Sequence, residues 1–119
     1  MIINCAYNAI SALGRARYHR AAANPWTREV MIKVIEEAVA VARAAGVQLP
    51  EVNMVETGLK IAETMAFATS STAQDLARGR RTEIDSLNGY LVRRGTELGV
   101  ATPVNQTLHA LVKLLEEAV

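Results

Sequence analysis

The stretch Ser70–Gly89, SSTAQDLARGRRTEIDSLNG, places two short helical segments in succession with a basic turn between them. A serine at the start of an uninterrupted helical run is a typical N-cap, so the pattern predicts a helix over 70–76 that Gly79 ends. The turn Arg78–Arg81 that follows reads either as a solvated turn or as a contact for a phosphate or carboxylate group. Two hydroxyls, a basic turn and a buried-looking carboxylate are thus expected close together.

The hydroxyl of Thr82 and the carboxylate of Asp85 stand three residues apart, ahead of an apolar run. This spacing is typical of a helix start, and it predicts a helix from Thr82 to about Leu98 that Gly99 closes. Glu83 would then lie in a first helical turn, where unpaired N–H groups and the helix dipole stabilise negative charge. This position alone does not show whether Glu83 only interacts with the helix dipole or also acts on a ligand.

Outside this stretch, apolar residues recur at three- and four-residue spacing, which is typical of amphipathic helices. Asn24-Pro25 marks a helix start, where we expect Trp26 to anchor the chain, and Gly14 is a weak point in the first helix. No segment has the period-two alternation of a strand. The sequence therefore predicts an all-α bundle of about six helices. Besides the two helices already described, the others cover residues 2–19, 27–45, about 51–67, and 103 onward.

Length and composition indicate one domain, residues 1–119, whose core is built from aliphatic side chains, since half of the residues are apolar and only 4% are aromatic. The formal net charge of +1 gives no large field for nucleic acid or an anionic membrane. Cys5 is the only cysteine, which excludes an internal disulfide. No apolar run approaches the ~18 residues of a membrane span. We therefore predict a cytoplasmic protein with no metal site and no nucleic-acid or membrane partner.

Asn4 and Asn8 stand four residues apart on the first predicted helix, so their amides project from one face. Burying two amides on an otherwise apolar helix costs free energy unless each finds a hydrogen-bond partner. The partners are either core groups or a ligand, and the spacing leaves both readings open.

Four blocks carry a family resemblance, and together they cover nearly the whole chain: NCAYNAISAL (Asn4–Leu13), SSTAQDL (Ser70–Leu76), RTEIDSLNG (Arg81–Gly89) and TPVNQTLHALVK (Thr102–Lys113). In order and spacing they resemble the C-terminal helical domain of ketopantoate reductase, or 2-dehydropantoate 2-reductase. The resemblance implies a fold similar to the 6-phosphogluconate dehydrogenase C-terminal-like domain. It also implies an NADPH-dependent reduction of 2-dehydropantoate to (R)-pantoate, in pantothenate biosynthesis, at a cleft shared with an N-terminal Rossmann domain.

The resemblance also assigns site residues by position. Asn4 and Asn8 match two asparagines that line the substrate site, Ser71 matches a serine that binds the substrate, and Glu83 matches the active-site glutamate. A homodimer is expected as well, because losing the Rossmann partner would expose apolar surface.

The sequence departs from the family pattern in several places. The catalytic lysine of the family would fall just upstream of Met1, and the nucleotide-binding domain has no counterpart in the sequence. Ala68 and Ala9 replace an expected asparagine and proline. We therefore expect a fragment, an isolated domain or a truncated gene product that cannot reduce a substrate alone, with NADPH bound by the missing domain.

Two functional readings follow. The chain is either the substrate-binding domain of such a reductase, acting on ketopantoate or another 2-keto acid, or a helical self-association module that has lost catalysis. Convergence of the four site residues in one cleft would favour the first reading, and self-association that occludes them would favour the second.

Overall fold

The computed structural model describes residues 1–118 and is all-helical over that range, with seven α-helices. None of them combines the length and apolar character that crossing a membrane requires. The all-α prediction is confirmed, although the predicted first helix is in fact two helices. In chain order they are α1 (Ile2–Gly14), α2 (Tyr18–Ala23), α3 (Pro25–Ala44), α4 (Met54–Thr64), α5 (Ser71–Ala77), α6 (Asn88–Leu98) and α7 (Pro103–Glu117).

The break between α1 and α2 lies at Arg15, which adopts the left-handed conformation with φ 50° and ψ 46°. The N–H groups of Arg15 and Ala16 both bond to the carbonyl of Ser11, which closes the last turn of α1. A left-handed residue directly after the last helical position is a common helix ending. The apolar periodicity on both sides of the break hid this ending from the sequence pattern.

Asn24 and Pro25 start α3, as predicted. The Asn24 side-chain oxygen accepts hydrogen bonds from the backbone N–H groups of Trp26 and Thr27, at 3.0 and 3.1 Å. The expectation that Trp26 anchors this start is wrong, because 79% of its surface is exposed. The asparagine cap fixes the start of the helix without help from the indole.

The predicted helix from Thr82 is also wrong at its beginning. A 3₁₀ turn over Ile84–Ser86 follows Thr82, and α6 begins only at Asn88. The Thr82 N–H and hydroxyl both donate to the distant carboxylate of Glu116, and the local bond that the hydroxyl oxygen accepts comes from the Ile84 N–H of the 3₁₀ turn, not from an α-helix. Gly89, expected inside the helix, lies in its first turn, where a Cβ would come within 2.8 Å of the His109 ring.

Helix α1 forms the centre of the core and packs against α2, α3, α5 and α7. Tyr7 is fully buried, stacks on Tyr18 with ring centroids 4.4 Å apart, and donates its hydroxyl to the carbonyl of Gly58 at 2.8 Å. The core is therefore not purely aliphatic. Cys5, also on α1, is fully buried, and burial raises the pKa of its thiol to about 12, which keeps it protonated.

A buried polar chain connects four helices. The Asn88 amide donates to the Cys5 carbonyl at 3.1 Å and to Asn105 Oδ1 at 2.9 Å, and the Asn105 amide donates to Glu37 at 2.8 Å. The Glu37 carboxylate also accepts from the backbone N–H groups of Val104 and Asn105 at the start of α7. A carboxylate from α3 therefore caps α7, whose own N-cap side chain makes no such bond.

Adding a methyl group at Gly95 is expected to destabilise the fold by about 1–3 kcal/mol. A Cβ there would lie 2.7 Å from the carbonyl oxygen of Val100 and 2.9 Å from a methyl carbon of Thr102. Urea unfolding of Gly95→Ala checks the prediction, with Gly14→Ala as the matched control because no atom lies within 4 Å of its added Cβ. Equal effects of the two substitutions would contradict the packing argument.

Candidate active site

Helices α1 and α5 bring two of the predicted site residues together. The Asn8 amide donates to Ser71 Oγ at 3.4 Å. Asn8 is 4% exposed, whereas Ser71 is exposed at the first position of α5. Asn4, also exposed, lies one turn before Asn8 on the same face of α1. The arrangement offers amide and hydroxyl groups that can donate to a small oxygen-rich ligand.

The position of Ser71 is fixed by its buried neighbour Ser70, which is 2% exposed. The Ser70 hydroxyl caps α5 by accepting from the Ala73 N–H at 3.1 Å, and it donates to the Asn8 carbonyl at 3.1 Å. The Ser11 hydroxyl donates to Ser70 Oγ at 2.6 Å. These bonds join the start of α5 to the middle of α1. The sequence pattern predicted the cap but not the Ser11 contact.

Glu83 lies on the segment between α5 and α6, immediately before the 3₁₀ turn. The expectation that it occupies a first α-helical turn is wrong, and the carboxylates of Glu83 and Asp85 are exposed, contrary to the buried-looking reading. Within residues 1–118, no hydrogen bond or ion pair involves the Glu83 carboxylate. The structure therefore joins Asn8 to Ser71 and leaves Glu83 on a separate surface segment.

The residues on either side of Glu83 are held by α7. Glu116 Oε2 accepts from both the N–H and the hydroxyl of Thr82, each at 2.8 Å. Asp85 Oδ1 lies 2.7 Å from His109 Nε2, and Asp85 Oδ2 lies 3.2 Å from Lys113 Nζ. Sequence reasoning missed these contacts, because they join residues that lie far apart in the chain.

These contacts shift the acidity of both carboxyl groups. Hydrogen bonds from His109 and Lys113 lower the pKa of Asp85. Partial burial opposes ionisation of Glu116, but the bonds from Thr82 and the nearby Lys113 outweigh it and lower its pKa. Both groups are therefore charged at neutral pH, and the contacts that need this charge are present there.

The basic turn carries three exposed arginines at positions 78, 80 and 81. No ion pair to them is found over the range that the structure describes. Both readings of this turn, a solvated loop or a contact for an anionic group, therefore stay open.

Comparison with known proteins identifies the family. The family model described as ketopantoate reductase PanE/ApbA C terminal matches residues 1–116. The chain belongs to this family. The resemblance that the four sequence blocks indicated is confirmed, as is the helical fold of the ketopantoate reductase C-terminal domain.

Similar proteins support the same conclusion. A 2-dehydropantoate 2-reductase from Pyrobaculum aerophilum is 42% identical over 116 residues, which are 98% of this chain and 41% of that protein. The crystal structure of a PanE/ApbA family ketopantoate reductase from Ralstonia eutropha superposes with a TM-score of 0.93 at 53% identity, covering 98% of this chain and 39% of that one. D-mandelate dehydrogenase with NADH and anilino(oxo)acetate gives a TM-score of 0.90 at 25% identity, with 98% and 65% covered.

This ketopantoate reductase C-terminal domain thus spans about two-fifths of the length of the curated relatives it matches.

Proposed function

We propose that this chain is the substrate-binding domain of an NADPH-dependent 2-dehydropantoate 2-reductase. The observation that carries the proposal is the contact between the Asn8 amide and Ser71, two residues whose positions match substrate-binding positions of the family. Asn8 is buried and donates to Ser71, whereas the Ser71 hydroxyl is exposed and keeps hydrogen-bonding capacity for a ligand. The reaction proposed is reduction of 2-dehydropantoate to (R)-pantoate in pantothenate biosynthesis.

The proposed roles divide the site by chemistry. Asn4, Asn8 and Ser71 bind and orient the keto acid through amide and hydroxyl hydrogen bonds, which fix the carbonyl for attack. Glu83 is the catalytic carboxylate, acting on the substrate and its surroundings. Its exposure supports this assignment, because a carboxylate without an internal partner is available to a ligand.

NADPH supplies the hydride in the full-length enzyme. Residues 1–118 form helices and no strand, whereas a Rossmann domain holds its dinucleotide at the ends of parallel strands. We propose that a Rossmann domain, in cis or in trans, binds the cofactor and provides the lysine upstream of Met1. The chain alone is then not catalytic, and it contributes the substrate half of the cleft.

We further propose that the chain forms a homodimer. Leu111, Leu114 and Leu115 on α7 are 44%, 62% and 37% exposed, which leaves an apolar strip for another surface. The same strip favours the second candidate function, a self-association module without catalysis. Dimerisation is expected under both, so it does not discriminate between them. The cytoplasmic location and the lack of nucleic-acid and membrane partners stay predictions from the sequence.

The experiment that tests the function is NADPH oxidation with ketopantoate, followed by absorbance. It compares the chain alone with the chain joined to a matching Rossmann domain that supplies the upstream lysine. We expect turnover only in the joined protein, and loss of turnover when that lysine is changed to alanine. A folded joined protein that is inactive with ketopantoate would overturn this substrate assignment. Activity with another 2-keto acid would then indicate a related reductase, and none at all would favour the association module.

A further inference from the structure

Three side chains on one face of α7 contact the segment that carries Glu83. His109, Lys113 and Glu116 are spaced four and three residues apart, so they lie above one another on successive turns. We refer to them as the α7 clamp. All of their hydrogen bonds and ion pairs beyond α7 go to Thr82 or Asp85, within the described range.

The first attachment is the carboxylate of Glu116. Its Oε2 atom accepts two bonds of 2.8 Å from Thr82, one from the backbone N–H and one from the hydroxyl. The Glu116 side chain is only 10% exposed, and Thr82 is 8% exposed, so water competes weakly for these bonds. Charge-assisted bonds of this length are among the stronger polar contacts in proteins. The Thr82 hydroxyl also accepts from the Ile84 N–H at 3.2 Å, which extends the attachment into the 3₁₀ turn.

The second attachment is Asp85, which contacts His109 and Lys113 through separate oxygens at 2.7 and 3.2 Å. Lys113 Nζ also lies 3.0 Å from Glu116 Oε1, so the two attachments share one cation. Thr82 and Asp85 bracket Glu83 in the sequence. The backbone of Glu83 is therefore tied to α7 on both sides, while its own carboxylate makes no such contact within residues 1–118.

Local structure alone does not fix this segment. The 3₁₀ turn is three residues long and its N-cap residue Glu83 provides no side-chain cap, and turns of this length are weakly held by their own hydrogen bonds. The fully buried Ile84 anchors the turn in the core. A single buried apolar side chain holds a turn against the core but still allows the turn to rotate. Directional polar contacts on two sides restrict that rotation and so define the direction of the side chain between them.

We propose that the α7 clamp is a positioning device that fixes the orientation of the segment carrying the Glu83 carboxylate, with Glu116 as its principal residue. The catalytic part of this inference rests on the proposed function. Glu116 acts through Thr82 and touches neither the substrate nor the cofactor. Removing it should loosen the segment at residues 82–86 and lower turnover, while the fold and the Asn8 and Ser71 contacts are kept.

The clamp is tested first on the chain itself, by residue-resolved amide hydrogen exchange. In Glu116→Ala we expect the Thr82 and Ile84 amides to exchange at least about tenfold faster, because each loses its acceptor or the group that positions it. Amides in the middle of α3 should change less than about twofold. Glu117→Ala is the matched control, since it removes an adjacent, exposed carboxylate. Unchanged Thr82 exchange, or equal acceleration at all amides, would overturn the clamp.

The positioning role is tested in the joined protein. We expect Glu116→Ala to lower kcat about tenfold with KM within about threefold, because misplacing a catalytic group affects the transition state more than substrate binding. Glu116→Gln keeps one acceptor oxygen for Thr82 and should recover part of the loss, and Glu117→Ala should match the unaltered protein. Faster exchange with unchanged kcat would overturn the positioning role. An inactive unaltered protein would count against the proposed function alone, because the exchange experiment still decides the clamp.

Discussion

Replacing Glu83 with glutamine is expected to lower kcat for ketopantoate reduction about 100-fold in the chain joined to a Rossmann domain. Glutamine has nearly the same shape but carries no charge and does not take up a proton. It therefore removes the chemistry of the carboxylate and leaves the backbone of the segment unchanged. Steady-state NADPH oxidation at saturating substrate measures the effect.

The expected size of this effect follows from where Glu83 lies. In this chain the carboxylate is exposed, so its interactions are screened by water. A Rossmann domain closing over the same surface would exclude water, and electrostatic interactions strengthen several-fold as the local dielectric falls. The loss of charge should therefore matter in the joined protein but hardly affect the stability of the isolated chain.

The control for this prediction is Glu51→Gln, which neutralises an exposed carboxylate in the connection between α3 and α4. It should leave kcat within about twofold of the unaltered protein, as is usual for surface substitutions away from a site. If Glu83→Gln behaved like this control in a protein that reduces ketopantoate, the catalytic assignment of Glu83 would be wrong.

Much of the fold could be predicted because its signals are local. Ser70 caps α5, Asn24 with Pro25 starts α3, and Gly99 ends α6 in the left-handed conformation with φ 73°. Each of these features depends on residues within one helical turn, and apolar periodicity supplied the helices between them. Such signals survive in a sequence read without its tertiary context.

The errors arise where a distant residue competes with a local signal. Thr82 has the pattern of an α-helix cap, but its hydroxyl and N–H donate to Glu116, far along the chain, its hydroxyl oxygen accepts from a 3₁₀ turn, and the α-helix begins later. Trp26 is predicted to anchor the start of α3, yet it is exposed and the polar cap of Asn24 fixes that helix start. Neither result could be predicted from the residues that neighbour Thr82 or Trp26 in the sequence.

Only part of the candidate site could be predicted from the sequence, for the same reason. Spacing placed the amides of Asn4 and Asn8 on one face, but it left their partners open, and Ser71 entered only through the family resemblance. That Ser71 meets Asn8 depends on the packing of α5 on α1, which no local pattern encodes. The spacing of the α7 clamp residues shows that they share one helix face, but the residues that they contact depend on the tertiary structure.

The largest expected effect on stability comes from Asn105, which is fully buried. Its amide donates to Glu37 Oε1 at 2.8 Å and to the Val34 carbonyl at 3.4 Å, and its Oδ1 accepts from Asn88 at 2.9 Å. Replacing Asn105 with alanine removes all three bonds and leaves a void. The polar groups left behind are inside the fold, where an unpaired donor or acceptor costs about 1–3 kcal/mol.

We expect Asn105→Ala to lower the free energy of unfolding by about 3–5 kcal/mol, since the lost bonds and the cavity act together. Two contacts moderate the loss, because Asn88 keeps its bond to the Cys5 carbonyl and Glu37 keeps the N–H groups that it caps. Urea unfolding followed by circular dichroism measures it. The control Gln106→Ala, at the exposed neighbouring position of α7, should change stability by less than about 0.5 kcal/mol. A loss below about 1 kcal/mol in Asn105→Ala would mean that water replaces the missing amide, and that the polar chain does not hold α7 to α3 and α6.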